Sequence, residues 1–280
     1  GGMRISPSRQ DSLTYIAAES MYMKNSTQEA ETAMLKYLQS FPNGAYSSDA
    51  NYYLGLLSDK KGNKQQAISY FRKVIDNNSD KYMDDALIYT SRFAFANGDF
   101  QLALRDYSML ANISQNNEKR IEGQLGVART QYKLESYHEA ARAASDIMNQ
   151  NNLSPEIKTE ATYIRGKSYQ QVNETDKAIS DYQELAKDTR SIYGAEAQYL
   201  LSNIYYSWKS YDKAEAQVKD FMQKGTPHQY WMARALIVLS DTYKAKGDNF
   251  QARQYLESLK ENYKGKEPDI QQLINERLNN

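Results

Sequence analysis

Apolar residues return along this chain at helical spacing, in paired blocks separated by short polar turns. Ala67-Ile68-Ser69-Tyr70-Phe71-Arg72-Lys73-Val74-Ile75 places Ala67, Phe71, Val74 and Ile75 on one face of a helix. The block before it opens at Asn51-Tyr52-Tyr53-Leu54-Gly55-Leu56-Leu57 and stops at Gly62-Asn63. Together they predict a helical hairpin.

The hairpin recurs. An alanine marks the second helix seven times, at Ala30, Ala67, Ala103, Ala140, Ala178, Ala214 and Ala252, with spacings of 37, 36, 37, 38, 36 and 38 residues. Twelve residues before each lies another small side chain: Ala18, Gly55, Ser91, Ala128, Gly166, Ser202 and Ser240. Small residues at two fixed sites let paired helices approach closely, and bulky neighbours interdigitate around them. One hairpin cannot bury that face, whereas a stack can. The predicted fold is all-α, a right-handed α-α superhelix of seven hairpins at 11–47, 48–83, 84–120, 121–158, 159–194, 195–232 and 233–266. An amphipathic capping helix follows at 267–280, and residues 1–10 read as a linker. Gly1-Gly2-Met3 reads as a cloning remnant, with any native signal or anchor lying upstream of Arg4.

The turns support this register. Gly62-Asn63, Gly98-Asp99 and Gly247-Asp248 combine a helix stop with a cap, while Asn25-Ser26, Glu135-Ser136, Asn173-Glu174 and Lys209-Ser210 are weaker versions. Pro42, Pro155, Pro227 and Pro268 all fall between repeats and Pro7 precedes the first. Ser154-Pro155 and Thr226-Pro227 read as a cap followed by a first-position proline.

These residues resemble the tetratricopeptide repeat over about residues 11–266. That family has a small residue at position eight, a large aromatic at eleven and Ala at twenty. Position eleven is Tyr169, Tyr205 and Tyr243 in later copies, but Met21, Ser58, Ala94 and Gln131 in earlier ones. The Trp often found at position four is missing throughout. Phe41-Pro42-Asn43-Gly44-Ala45-Tyr46, with Asp49 to Gly55, is further similar to repeats of Gram-negative envelope proteins, both periplasmic cell-division coordinators and outer-membrane assembly lipoproteins. That likeness implies a periplasmic or outer-membrane-associated location; otherwise the chain is expected in the cytoplasm.

The family resemblance implies a function as well. First helices line a concave groove through positions two, five, nine and twelve, and a polypeptide segment is the expected ligand. Those positions nominate Tyr15, Tyr22, Tyr52, Arg92, Phe95, Arg129, Tyr132, Tyr163, Lys167, Tyr199 and Tyr206. Tyr and Arg are the residues that anchor binding hot spots. Arg92, Arg129 and Lys167, at position nine of three successive repeats, suggest a cationic stripe and an acidic partner. Alternatively they pair with Asp85, Glu122 and Glu160 at position two of their own repeats. The chaperone-tail clamp of the family is not expected, since no position five is Lys.

Composition narrows the alternatives. Lys plus Arg equals Asp plus Glu at 35 each, so the footprint of a nucleic-acid binder is missing and no nucleic-acid partner is expected. Single-stranded binding through Tyr stacking beside Arg is the weaker alternative. With no Cys and only two histidines, His138 and His228, neither beside a second ligand, no metal, cofactor or catalytic activity is expected. No apolar run reaches the ~20 residues that span a bilayer, so no membrane insertion is expected. The remaining alternative is a structural assembly protein that self-associates through its ends or convex face.

Overall fold

The structure, a computed structural model, describes residues 4–280. Among the described residues the regular structure is entirely helical. The chain forms two compact units, the first ending at Leu134 and the second beginning at Glu135.

The first unit holds α1 (Pro7–Met23), α2 (Thr27–Ser40), α3 (Ser47–Lys60), α4 (Lys64–Asp76), α5 (Met83–Ala96), α6 (Phe100–Ile113) and α7 (Asn117–Lys133). The second holds α8 (Tyr137–Met148), α9 (Pro155–Gln171), α10 (Thr175–Leu185), α11 (Ile192–Ser207), α12 (Tyr211–Lys224), α13 (Gln229–Ala245), α14 (Asn249–Asn262) and α15 (Pro268–Leu278). Within each unit every helix packs on its neighbours in sequence, and α5 on α7, α9 on α11 and α11 on α13 bring successive first helices together.

Local chemistry explains the breaks. Gly62, Gly98 and Gly247 take φ of 81°, 78° and 88°, the left-handed conformation that ends a helix and costs glycine nothing. Asn63, Asp99 and Asp248 then accept from the backbone N–H of Gln66, Leu102 and Gln251 at 3.1, 3.3 and 3.0 Å. The weaker turns adopt the same shape with side chains attached: Asn25, Glu135, Asn173 and Lys209 have φ of 60°, 60°, 63° and 60°. Their following residues make no side-chain cap.

Two prolines correct the sequence reading. Pro7 does not precede the first helix but begins it, with Ser6 accepting from Arg9 N–H at 3.3 Å, so the linker expected over 1–10 is helical from Pro7 onward; Gly1–Met3 lie outside the described residues. Pro227 is not a first-helix residue. Thr226 is engaged elsewhere, accepting from His228 N–H and donating to the Thr189 carbonyl, so α13 starts only at Gln229 behind His228.

The two small-residue columns are buried throughout. Six of the seven second-helix alanines are fully buried and Ala252 is 6% exposed. Ala18, Gly55, Ser91, Ala128, Gly166, Ser202 and Ser240 are buried opposite them. At Gly55 an added Cβ would meet the Phe71 ring at 2.6 Å, which shows how closely the paired helices approach. Large side chains close the remaining space: Phe71, Leu87 and Leu110 in the first unit, Tyr182, Leu201, Phe221 and Leu239 in the second. Ile270 and Ile274 of α15 seal the last hairpin against Ala233, Ile237, Leu256 and Leu259.

Ala103 packs against Ala94 and Tyr107 with no accessible surface. Ala103→Leu is therefore expected to destabilise by roughly 1–3 kcal/mol through overpacking. Chemical denaturation measures this directly, and an unchanged midpoint would contradict the packing role of the column.

Candidate functional site

The first helices carry a column of acids at position two of the repeat: Asp49, Asp85, Glu122, Glu160 and Glu196. Position nine of the same helix lies seven residues on, about 10 Å along the axis, beyond comfortable reach of a salt bridge. The adjacent first helix is nearer. Arg92 of α5 accordingly pairs with Glu122 of α7, its Nε 2.8 Å from Oε1. In the second unit Lys167 of α9 pairs with Glu196 of α11 at 2.9 Å. The expected pairs of Arg92 with Asp85 and Lys167 with Glu160 are thus replaced by pairs to the next repeat.

Tyrosines at position five join the same network. Tyr163 donates to Glu196 Oε1 at 2.9 Å, so one carboxylate receives both a phenol and an ammonium. Burial, then the charge of Asp85, pushes the Tyr52 phenol up to about 12. Asp85 in turn pairs with Lys119 at 3.0 Å, and Asp84 accepts from Ser114 at 2.7 Å. The acids that open α5 therefore tie it to the start of the next hairpin rather than standing free for a cation.

The nominated groove residues do not form one class. Tyr15 is 3% exposed, stacked on Tyr46 at 4.4 Å and hydrogen-bonded to Glu19 at 2.7 Å, so it is core and not an anchor. Tyr199 is 9% exposed, closed off by the Arg234 guanidinium 4.8 Å above its ring and by Trp231. Tyr22, Tyr52, Phe95, Arg129, Tyr132, Tyr163, Lys167 and Tyr206 are half-buried, and Arg92 is exposed. Tyr22 rests on Tyr53 at 4.5 Å, Tyr52 stacks on Tyr82 at 4.2 Å, and Phe95 meets the edge of Phe100 at 5.3 Å.

The first unit contains a cleft of about 530 Å³ between α3 and α5. Leu56, Phe71, Ile88 and Phe93 make its apolar floor, and Tyr52, Asp59, Asp85, Arg92, Ala96 and Asn97 stand around it. Asp59 is fixed by Tyr89, which donates at 2.6 Å, and by Lys64 at 3.3 Å. The Tyr89 hydrogen bond is the larger cause holding the Asp59 carboxyl below its ordinary value, with Lys64 assisting. Sequence reasoning found Tyr52 and Arg92 here. It also set Asp59 on this face, at position twelve, but missed Phe71 and Tyr89, which reach the cleft only because α4 and α5 close on α3.

His138 is exposed at the start of α8, and His228 places Nε2 at 2.8 Å from the Arg190 carbonyl, bracing the turn before α13. Among the described residues no group of three His, Cys, Asp or Glu converges as for a metal ion, and no helix is long and apolar enough to cross a membrane.

Family models described as tetratricopeptide repeat match the chain in three stretches, residues 49–80 and 229–265 for one and 163–221 for the other. The chain is a tetratricopeptide-repeat protein. As a class such repeats are interaction scaffolds rather than enzymes. Solved structures agree on the fold. The apo form of RapI superposes with a TM-score of 0.64 at 11% identity, over 96% of this chain and 86% of that one. The MamA protein gives 0.52 at 22% identity, over 66% of this tetratricopeptide chain and 98% of its own. In sequence, a probable biofilm formation methyltransferase WspC from Pseudomonas putida is 30% identical over 97 residues, 33% of this chain. The chain spans 21% of that relative's length.

Proposed function

We propose that this tetratricopeptide protein binds a short polypeptide segment in the cleft between α3 and α5. The observation that carries the reading is the floor of Leu56, Phe71, Ile88 and Phe93 beneath a rim of polar side chains. Such a site takes one apolar anchor and fixes its backbone at the edges. Asp59 and Asp85 already hold their own partners, so the rim adds little net negative charge. Arg92 differs, because its side chain is 63% exposed. An exposed ion pair contributes little, so a carboxylate on the segment replaces Glu122 at small cost. The segment is therefore an apolar residue flanked by Asp or Glu, ordered on binding, with an affinity near micromolar, about −8 kcal/mol.

Two exposed positions test this without disturbing the core. Ala96→Arg fills the cleft, and Arg92→Glu reverses the charge at its rim. Partners captured by the parent chain from its native organism are identified, and the bound segment is mapped and titrated. Both variants are expected to weaken that segment at least tenfold while melting like the parent. If both fold and bind it as the parent does, the site lies elsewhere.

A further inference from the structure

Six of the twelve large apolar side chains exposed among the described residues fall between Ile5 and Leu35, so the exposure concentrates in the first hairpin. On α1 the residues Arg9, Leu13, Ile16, Ser20 and Met23 recur at three- and four-residue steps and share one face. Leu13, Ile16 and Met23 are 46%, 55% and 61% exposed, opposite the buried face of Asp11, Tyr15 and Ala18. The last helix of the second unit behaves differently, since α15 exposes Gln272, Asn275 and Glu276. A polar outer face is what an uncovered helix of a repeat stack needs for solubility, and α1 lacks one.

The residue types say what covers this face. Leu13 stands at position three of the repeat. The later copies have Ala50, Ala86, Gly123, Ala161, Ala197 and Ala235 there, all buried. Those small residues lie where the preceding second helix comes closest; at Gly123 a Cβ would sit 2.6 Å from the backbone nitrogen of Ala111 on α6. A leucine at that site keeps out a helix packed as one more repeat. Leu13 and Ile16 instead suit a helix that interdigitates side chains at a wider spacing.

We propose that this occupant is α1 of a second copy, paired antiparallel. The face is self-complementary in that arrangement. Centring the pair between Leu13 and Ile16 sets Leu13 of each copy against Ile16 of the other. It also brings Arg9 of each copy beside Glu19 of the other, opposite charges at both ends of an isologous contact. Arg9 is exposed, and Glu19 is steadied by the Tyr15 hydroxyl at 2.7 Å. A 17-residue helix is about 25 Å long, so the contact falls at the small end of specific interfaces. It yields a reversible dimer with a dissociation constant on the order of 10–100 μM.

Sedimentation velocity on the whole chain, from about 5 to 500 μM, brackets that range. The parent is expected to pass from monomer to dimer. Leu13→Glu and Ile16→Glu are expected to remain monomeric at the top of the range and to melt as the parent does, because both side chains are largely exposed. The chain has no Cys, so single cysteines report the register cleanly. An oxidised mixture of Leu13→Cys and Ile16→Cys chains is expected to cross-link between the two kinds severalfold more than within either kind. A parent that stays monomeric at 500 μM (about fivefold above the weakest expected constant) overturns the proposal. So do folded Glu variants that dimerise like the parent, and so does cross-linking with no preference for the mixed pair.

Discussion

Gly194→Ala is expected to destabilise the second unit by about 3 kcal/mol or more, the largest effect of any single methyl in the chain. Gly194 lies in the first turn of α11, buried against the end of α10. An added Cβ would sit 1.8 Å from the Asp188 carbonyl oxygen and 2.6 Å from that of Leu185. Both obstacles are backbone, so no side chain can turn aside and the α10–α11 connection itself must move. The gain in helix propensity from Gly to Ala, about 1 kcal/mol, offsets only part of this. Gly98→Ala is the contrasting control. A Cβ there meets nothing within 4 Å, and the cost is confined to its φ of 78°. Thermal melts read the difference, with Gly194→Ala expected to lose roughly 6–12 °C. A loss below that of Gly98→Ala would show that the connection yields easily.

Gly194 also marks the limit of what the sequence discloses. The two small-residue columns are legible because each recurs seven times at one spacing, and repetition separates a packing rule from chance. Gly194 belongs to no column. It closes one connection between hairpins, and nothing distinguishes it from a surface glycine until α10 and α11 are placed. The candidate site was legible to a similar depth. The first-helix face named Tyr52 and Arg92, which border the cleft, since periodicity gives the direction of a side chain on its own helix. It could not tell that Tyr15 is covered by Tyr46, or Tyr199 by Arg234 and Trp231, because those covers come from outside its own helix. The position-nine cations failed in the same way. Spacing along one helix suggested Asp85 and Glu160 as partners for Arg92 and Lys167. The shorter path runs sideways to Glu122 and Glu196, and only packed helices reveal it. The Arg72 pair with Asp106, bidentate at 3.0 and 2.8 Å and buried on the acid side, joins α4 to α6 and has no signature in the repeat pattern.

The first unit is expected to unfold cooperatively as the pH rises above 10, well before a protein with ordinary surface tyrosines would. The chain has 24 Tyr, and three in the first two hairpins, Tyr15, Tyr37 and Tyr82, are buried beside carboxylates. Tyr37 donates to Asp11 and accepts from Tyr46 N–H at 2.9 Å, Tyr15 donates to Glu19 at 2.7 Å, and Tyr82 donates to Asp49 at 3.1 Å. Burial is the first cause that raises all three phenols above their ordinary value, and the neighbouring acids add to it. The sign follows from linkage. A folded-state pKa above the unfolded one means the native state holds its protons longer, so the contribution is complete below pH 10. It is lost as the pH climbs and the unfolded chain ionises first. Between pH 10 and 11 each such tyrosine removes about 1 kcal/mol, so the three together remove about 3, a large share of a typical domain stability. Ionisation within the folded unit would place a phenolate against Asp11, Glu19 or Asp49, so release of the proton and unfolding should coincide. Absorbance at the tyrosinate band and far-ultraviolet circular dichroism, followed together from about pH 8 to 12, test this across the ordinary tyrosine pKa of about 10. Part of the tyrosinate signal is expected to lag and then appear at the pH where helicity falls. Complete ionisation near pH 10 with helicity intact would show that these phenols are open to solvent and that the aromatic core of the first unit is wrongly placed.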